Sequence, residues 1–453
     1  MARVMISLAA LIAAISFVTI ANATMTTIMP LQMLRDGADE TMVALFGAAY
    51  FLGFTVGCFS EPPRILRVGY IRAFAAAAAA CTTLAILIDF TAAPVLWIVL
   101  RFLMGLGVAA IFASVDGWIN AATPDALRGR VFSIYGWCIG ASAVLGQLML
   151  LVWDALAFGF ITFLALAFNA AVMLVTLTRA TAPSARQDLP APDPANPVRS
   201  GTLAITSGTA VVAAVYAGLV TTAILAILPA LLAGEGVDDG TIGLVIAAFF
   251  IGRLVFQIPI GVIADRMDLR LLIAVVALLT AATMGVGSLL VAAGLAQVLE
   301  GAGTVQKALF LVMMAIAGGL ILPLYTVANS LAFARAGGQP AVRIATTLLL
   351  VNSAGAVAGP MLVAVALPVF GAHALTGVIV LASGLTAGFA LYRRSFSATH
   401  APTRTGLSEV AGNSLAMAEA QAEIRAAEMA ETAPDPTADP PFSTADPARP
   451  VNR

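Results

Sequence analysis

The sequence is cut into twelve apolar runs by short stretches that hold most of the charges and turn residues, and each run has about the length of a membrane crossing. A helix needs about 20 apolar residues to span the hydrocarbon core. Without water, only structures that satisfy their own backbone hydrogen bonds can do so. At 60% hydrophobic and 10% charged residues over 453 positions, the chain is far too apolar for a soluble domain of this length. The pattern predicts an all-α membrane protein with twelve transmembrane helices. Six are expected at 4–28, 41–60, 73–88, 95–121, 131–152 and 156–178, and six at 203–232, 242–264, 271–293, 308–332, 344–366 and 374–392. A linker rich in Ala, Pro and Asp, 179–202, reads as a solvated tether on the cytoplasmic side. Residues 395–453 read as a mostly disordered cytoplasmic tail.

The two sets of six repeat one another. Gly105, Asp116, Arg130 and Gly146 recur 213 residues on as Gly318, Asn329, Arg343 and Gly359. Pro30, Gly37, Phe51, Gly53 and Arg67 recur 199 residues on as Pro229, Gly236, Phe250, Gly252 and Arg266. The 14-residue difference is placed most simply at 294–307. Two six-helix bundles, 1–178 and 203–394, follow as parallel repeats about an axis along the membrane normal. The repeat also argues against a cleaved leader ending near Asn22, because a leader has no reason to match an internal helix.

Assigning alternate loops to one side collects fifteen arginines there, against Arg35 and Lys307 opposite, which predicts cytoplasmic termini. A net charge of -1 without a basic, aromatic-interleaved patch gives no reason to expect nucleic acid as a partner. Cys58, Cys81 and Cys138 lie in apolar runs as small fillers. His373 and His400 stand apart, and neither a Walker loop nor G-x-G-x-x-G occurs, so no metal or cofactor is expected.

The segment GVIADRMDLR, 261–270, resembles the cytoplasmic signature G-x-x-x-D-R-x-G-R-R of the major facilitator superfamily. It matches at Gly261, Asp265 and Arg266, with Asp268 at the second glycine position and Arg270 near the final basic one. RFLMGLGVAA resembles the fourth-helix motif R-x-x-x-G-x-G-x-A-A at Arg101, Gly105, Gly107, Ala109 and Ala110. The first-half copy of the signature keeps Arg67 and Gly69 but has Pro62 and Leu66 for its glycine and aspartate. Over residues 1–394 the chain is similar to this superfamily, and within it to the YcaD-like branch of bacterial transporters. The resemblance implies a secondary active transporter, not an enzyme, that moves a small molecule through the bacterial inner membrane by alternating access as a monomer. It associates Arg101 with proton coupling. Gly146-Gln147 stands where antiporters have Gly-Pro, and helix one lacks the acid of drug antiporters, so export is not implied. The alternative is a non-transporting sensor or scaffold on the same fold.

Three ionisable side chains fall inside apolar segments: Arg101, Asp116 and Arg253. Each costs roughly 2.5 to 3.5 kcal/mol at the bilayer centre, so they are functional candidates. Arg253 lies about 18 Å into helix eight, near the midplane, with Gln257 one turn on. Both are expected to meet an anionic or polar substrate group, or else to pair internally. Asn22, Tyr216, Thr221, Tyr325, Asn329 and Asn352 are candidate lining residues, with interhelical hydrogen bonds as the competing role. Asp116 is about 22 Å along the helix from Arg101, too far to pair, but at a depth where Arg64 or Arg67 can reach. The resemblance supports that pairing, and gate latch, proton carrier and passive packing all stand as roles. Asp265 is expected to face the start of helix five near Arg130, a contact of ~0.3 to 1 kcal/mol that rocking halves can break.

Overall fold

The computed structural model describes residues 2–91, 93–123, 125–153, 159–177, 205–292, 304–335, 341–371 and 373–395. The predicted linker, the tail and most of the 294–307 segment lie outside them. The first bundle holds α1 (Ala2–Arg35), α2 (Glu40–Val68), α3 (Tyr70–Asp89), α4 (Pro94–Ala122), α5 (Asp125–Leu148) and α6 (Phe160–Thr176), with a short 3-10 turn, Met149–Leu151, after α5. The second holds α7 (Gly208–Gly234), α8 (Asp239–Ala264), α9 (Leu269–Ala292), α10 (Thr304–Ile321), α11 (Leu324–Phe333), α12 (Ala341–Phe370) and α13 (His373–Ser395). Eleven helical spans among the described residues are long and apolar enough to cross a membrane, and the shorter α6 is apolar too. Together they make the twelve expected crossings.

Where the elements differ from expectation, backbone chemistry gives the reason. The tenth crossing is two helices, α10 and α11, because Pro323 has no N–H to continue the ladder and caps α11 instead. α1 continues to Arg35 and α2 to Val68, past Pro62 and Pro63. A helix emerging from the membrane keeps its internal hydrogen bonds until a turn residue stops it. Gly37 and Gly236, 199 residues apart, provide matching stops, each at φ 85°. Ala38 and Val237 then donate back to Met33 and Leu232, as in a left-handed helix cap.

The repeat is most visible where helices cross. A Cβ on Gly53 would run into the Phe102 carbonyl, and one on Gly105 into the Tyr50 carbonyl, so α2 and α4 touch backbone to backbone. In the second bundle Gly252 meets the Ala315 carbonyl and Gly318 the Phe249 carbonyl, at positions shifted by the same 199 and 213 residues. In lipid no hydrophobic force holds helices together, so close approach through small residues does that work. The α1–α5 and α7–α12 seams match as well. Thr24 donates to the Gly146 carbonyl at 2.8 Å, and Thr222 to the Ala356 carbonyl at 2.7 Å.

Between the bundles, α2 packs against α12 and α5 against α8, with α1 meeting α7. Outward faces stay apolar and exposed, at Leu103, Trp137, Leu145, Leu289, Leu309 and Leu385 among others, as a lipid-facing surface requires.

Overpacking a tight crossing costs about 1 to 3 kcal/mol. Gly252→Ala is therefore expected to lower the melting temperature in detergent by several degrees. Gly285→Ala, where an added Cβ meets nothing within 4 Å, leaves it unchanged. Equal melting of the two variants contradicts the backbone contact at the α8–α10 crossing.

Candidate functional site

Arg253 sits on α8 between two contact directions. Gly252 faces α10, and Leu254 faces Gly140 of α5 in the other bundle. At about 100° per residue, Arg253 points between α10 and α5. The opposite side of α8 carries the exposed Ile251, Val255 and Ile258 and faces lipid. Gln257 lies one turn on, its Oε1 3.4 Å from Arg253 Nε. The structure thus places both residues on the side of α8 that faces the seam between the bundles, half-buried.

A second polar cluster stands where α1, α2 and α4 meet. Arg101 is 1% exposed. Its Nη2 donates to Thr26 at 2.7 Å, and its guanidinium carbon lies 4.3 Å from the Tyr50 ring centroid and 5.3 Å from that of Phe46. A desolvated cation on an aromatic face gains about 2 kcal/mol, part of what burial costs it. Nε and Nη1 of Arg101 have no partner. Asn22 joins the cluster by donating to the Tyr50 hydroxyl at 2.9 Å, while its own Oδ1 stays unpartnered. Gln147 fastens α5 beside it, accepting from Thr27 and donating to the Ala23 carbonyl, each at 2.8 Å. The residue that departs from the antiporter motif is therefore a clamp between α1 and α5.

The expected partner of Asp116 is corrected by the structure. Its Oδ1 accepts from the Tyr135 hydroxyl at 2.7 Å, tying α4 to α5 inside the first bundle. Arg64 instead pairs with Glu61 at 2.7 Å, one turn away on its own helix, and Arg67 is exposed. A local i,i+3 pair needs no interhelical reach, so Glu61 captures the arginine first.

The expected contact of Asp265 with the start of helix five falls on side chains outside the described ones. Asp265 and Arg266 are exposed just past α8, and neither has a partner among the described residues. Gly261 is buried in the last turns of α8 and accepts the Asp265 N–H. Arg270 turns into its own bundle and donates to the Arg393 carbonyl at 2.6 Å. Arg130 is in α5, and its side chain lies outside the described ones.

Of the candidate lining residues, Tyr216 is a packing residue, its hydroxyl 2.8 Å from that of Ser383 between α7 and α13. Asn352 donates to the Ala214 carbonyl at 2.9 Å across the α7–α12 seam. Thr222, not Thr221, makes the bond along that seam. Tyr325 and Asn329 stand one turn apart on α11, where the Asn329 side chain acts on the buried Tyr325 hydroxyl. The sequence reading missed Tyr50 and Tyr135, which carry no periodic signal.

It also missed the far-side closure between the bundles. Arg35 Nη2 lies 2.8 Å from Asp239 Oδ1, joining the end of α1 to the start of α8. Nearby, a Cβ on Gly47 would come within 2.7 Å of Ala226, and Gly243 packs on the Gln147 carbonyl. Lys307 binds the Thr241 hydroxyl at 2.7 Å, so both basic residues of that side hold the first turn of α8. Their minority in the charge count was the available signal.

A family model described as Major Facilitator Superfamily matches residues 10–235. The chain belongs to the major facilitator superfamily. It is a small-molecule transporter embedded in a membrane. Among curated relatives it is 26% identical over 268 residues to an uncharacterized MFS-type transporter of Enterobacter sp. (strain 638). It is 24% identical over 268 residues to the uncharacterized MFS-type transporter YcaD of Escherichia coli (strain K12 / DH10B). Both alignments cover 58% of this chain and 67% of the relative. Solved structures of the nucleoside transporter NupG superpose with a TM-score of 0.63 at 10% and 11% identity, covering 86% and 84% of this chain and 98% of theirs. At that identity the likeness concerns the fold alone.

A partly exposed ion pair contributes about 0.2 to 1 kcal/mol. Asp239→Asn is therefore expected to speed thiol labelling of an Ala226→Cys reporter two- to fivefold, in a background without Cys58, Cys81 and Cys138. Unchanged labelling removes Arg35–Asp239 from the closure.

Proposed function

We propose that this protein is a proton-coupled secondary transporter of the bacterial inner membrane, a monomer with both termini in the cytoplasm. Its two bundles rock about the α2–α12 and α5–α8 contacts. The observation that carries this reading is the position of Arg253 and Gln257, a cation and an amide facing a seam whose far side is closed by a breakable ion pair. A fixed cation near mid-membrane favours a substrate with an anionic or strongly hydrogen-bond-accepting group. Asp116 is the group we assign to the proton. It is buried, bonded to Tyr135, and without a cationic partner among the described residues, so a bound proton cancels a charge that no described residue cancels. Tyr135, on α5, sits in the same helix that packs against α8, which gives protonation a route to the seam. Asp265 and Arg266 are exposed on the arginine-rich side, where a latch to helix five near Arg130 would form or break as the bundles rock.

Vesicles reconstituted with the full chain and given an imposed pH gradient test the reading. Organic anions and nucleosides, the latter being the cargo named for the structural neighbours, are the first candidates. Gradient-driven flux of one class is expected, lowered more than tenfold in Arg253→Ala, a loss of about 1.4 kcal/mol or more. Asp116→Asn should abolish gradient-driven flux while substrate exchange persists. Flux indifferent to the gradient and to Asp116→Asn contradicts the proton assignment, and unchanged affinity in folded Arg253→Ala makes that arginine structural. A reporter fused after Arg394 should read cytoplasm.

A further inference from the structure

The arginine-rich end of the second bundle has more positive charge than its own acids neutralise. Asp268 caps α9, accepting the Arg270 backbone N–H at 2.8 Å, and its other oxygen lies 3.5 Å from Arg394 Nε. Arg270 is 3% exposed and donates to the Arg393 carbonyl, and its Nε has no hydrogen-bond partner among the described residues. Arg335, just past α11, Arg393, in the last turn of α13, and the carboxylate of Asp268 all act electrostatically on Arg270. With Arg266 and Arg394 the group counts five arginines against Asp265 and Asp268, a net of three positive charges. Asp265 is exposed and engages none of them among the described residues. A buried guanidinium with an unfilled donor, beside two further arginines and a single carboxylate, is arranged for an anion that the described residues do not supply.

The surroundings indicate which anion. Tyr392 is exposed beside the arginines, as an aromatic at the head-group level is. Further into the membrane the exposed faces of α13 and α9 are apolar, at Leu381 and Leu385 and at Leu278 and Leu279. Phosphate chemistry at the arginines continues into a surface suited to acyl chains. We propose that Arg270, Arg335 and Arg393 bind the phosphate of an anionic phospholipid head group, whose chains lie along α9 and α13. Basic pockets between membrane helices are suited to such head groups.

The test is retention of added phosphatidylglycerol or phosphatidylcholine by the detergent-purified full chain, read by native mass spectrometry. Phosphatidylglycerol should be retained preferentially. Arg335→Gln and Arg393→Gln, both at exposed positions, should each weaken its retention about fivefold, the effect of one arginine near a membrane surface. Arg72→Gln, an exposed arginine of the first bundle, should change nothing. Arg270→Gln should weaken retention most, and the two exposed variants keep the test valid if it fails to fold. Equal retention of both lipids, or retention unchanged in the Arg335→Gln/Arg393→Gln double variant, overturns the site. Displacement of phosphatidylglycerol by millimolar inorganic phosphate assigns the site to free phosphate and overturns the lipid.

Discussion

The structure depends on places where helices touch backbone to backbone. At Gly53 and Gly105 in one bundle, and at Gly252 and Gly318 in the other, carbonyl oxygens occupy the space a side chain would need. In a hydrocarbon solvent helix association rests on such close packing and on interhelical hydrogen bonds. With α2 fixed on α4 and α8 on α10, the bundles meet through α2 against α12 and α5 against α8.

The scaffold repeats, but the chemistry does not. Counting 213 residues on from Arg101 reaches Met314, and from Asp116 it reaches Asn329. Counting 199 back from Arg253 reaches Phe54. The first bundle holds a buried arginine on aromatic rings and a carboxylate bonded to a tyrosine, while the second turns a cation and an amide toward the seam. Isolated charges in hydrocarbon are costly, and each here has only partial compensation within its own bundle. Symmetric bodies with asymmetric charges can keep equivalent packing in two states while ligand and proton bias one of them.

The crossings, the repeat and the family were legible in the sequence because apolar length and glycine spacing are local or periodic signals. Gly53 and Gly252 stand at the same depth in both halves, so repetition alone exposed them. The break at Pro323 hides inside an otherwise continuous apolar run. Side-chain partners were the least legible. Tyr135 reaches Asp116 from another helix, and Tyr50 and Thr26 reach Arg101 from two others, with no pattern in the chain to announce it. The expected pairing of Asp116 with Arg64 failed because Glu61 is nearer to that arginine. Arg270, near the final basic position of the signature, is held in its own bundle by a carbonyl at the end of α13, a bond that no sequence pattern announces.

The central claim is that the two bundles move as bodies, opening one face as they close the other. Spin labels at positions 36 and 235, on the far-side turns of the two bundles, and at positions 67 and 266, on the arginine-rich side, measure both faces by pulsed electron resonance. Across a pH series, and with the Arg35–Asp239 pair removed, the account predicts two populations whose far-side and near-side distances change in opposite directions. Distances that remain single under all conditions, or that lengthen on both faces together, contradict it.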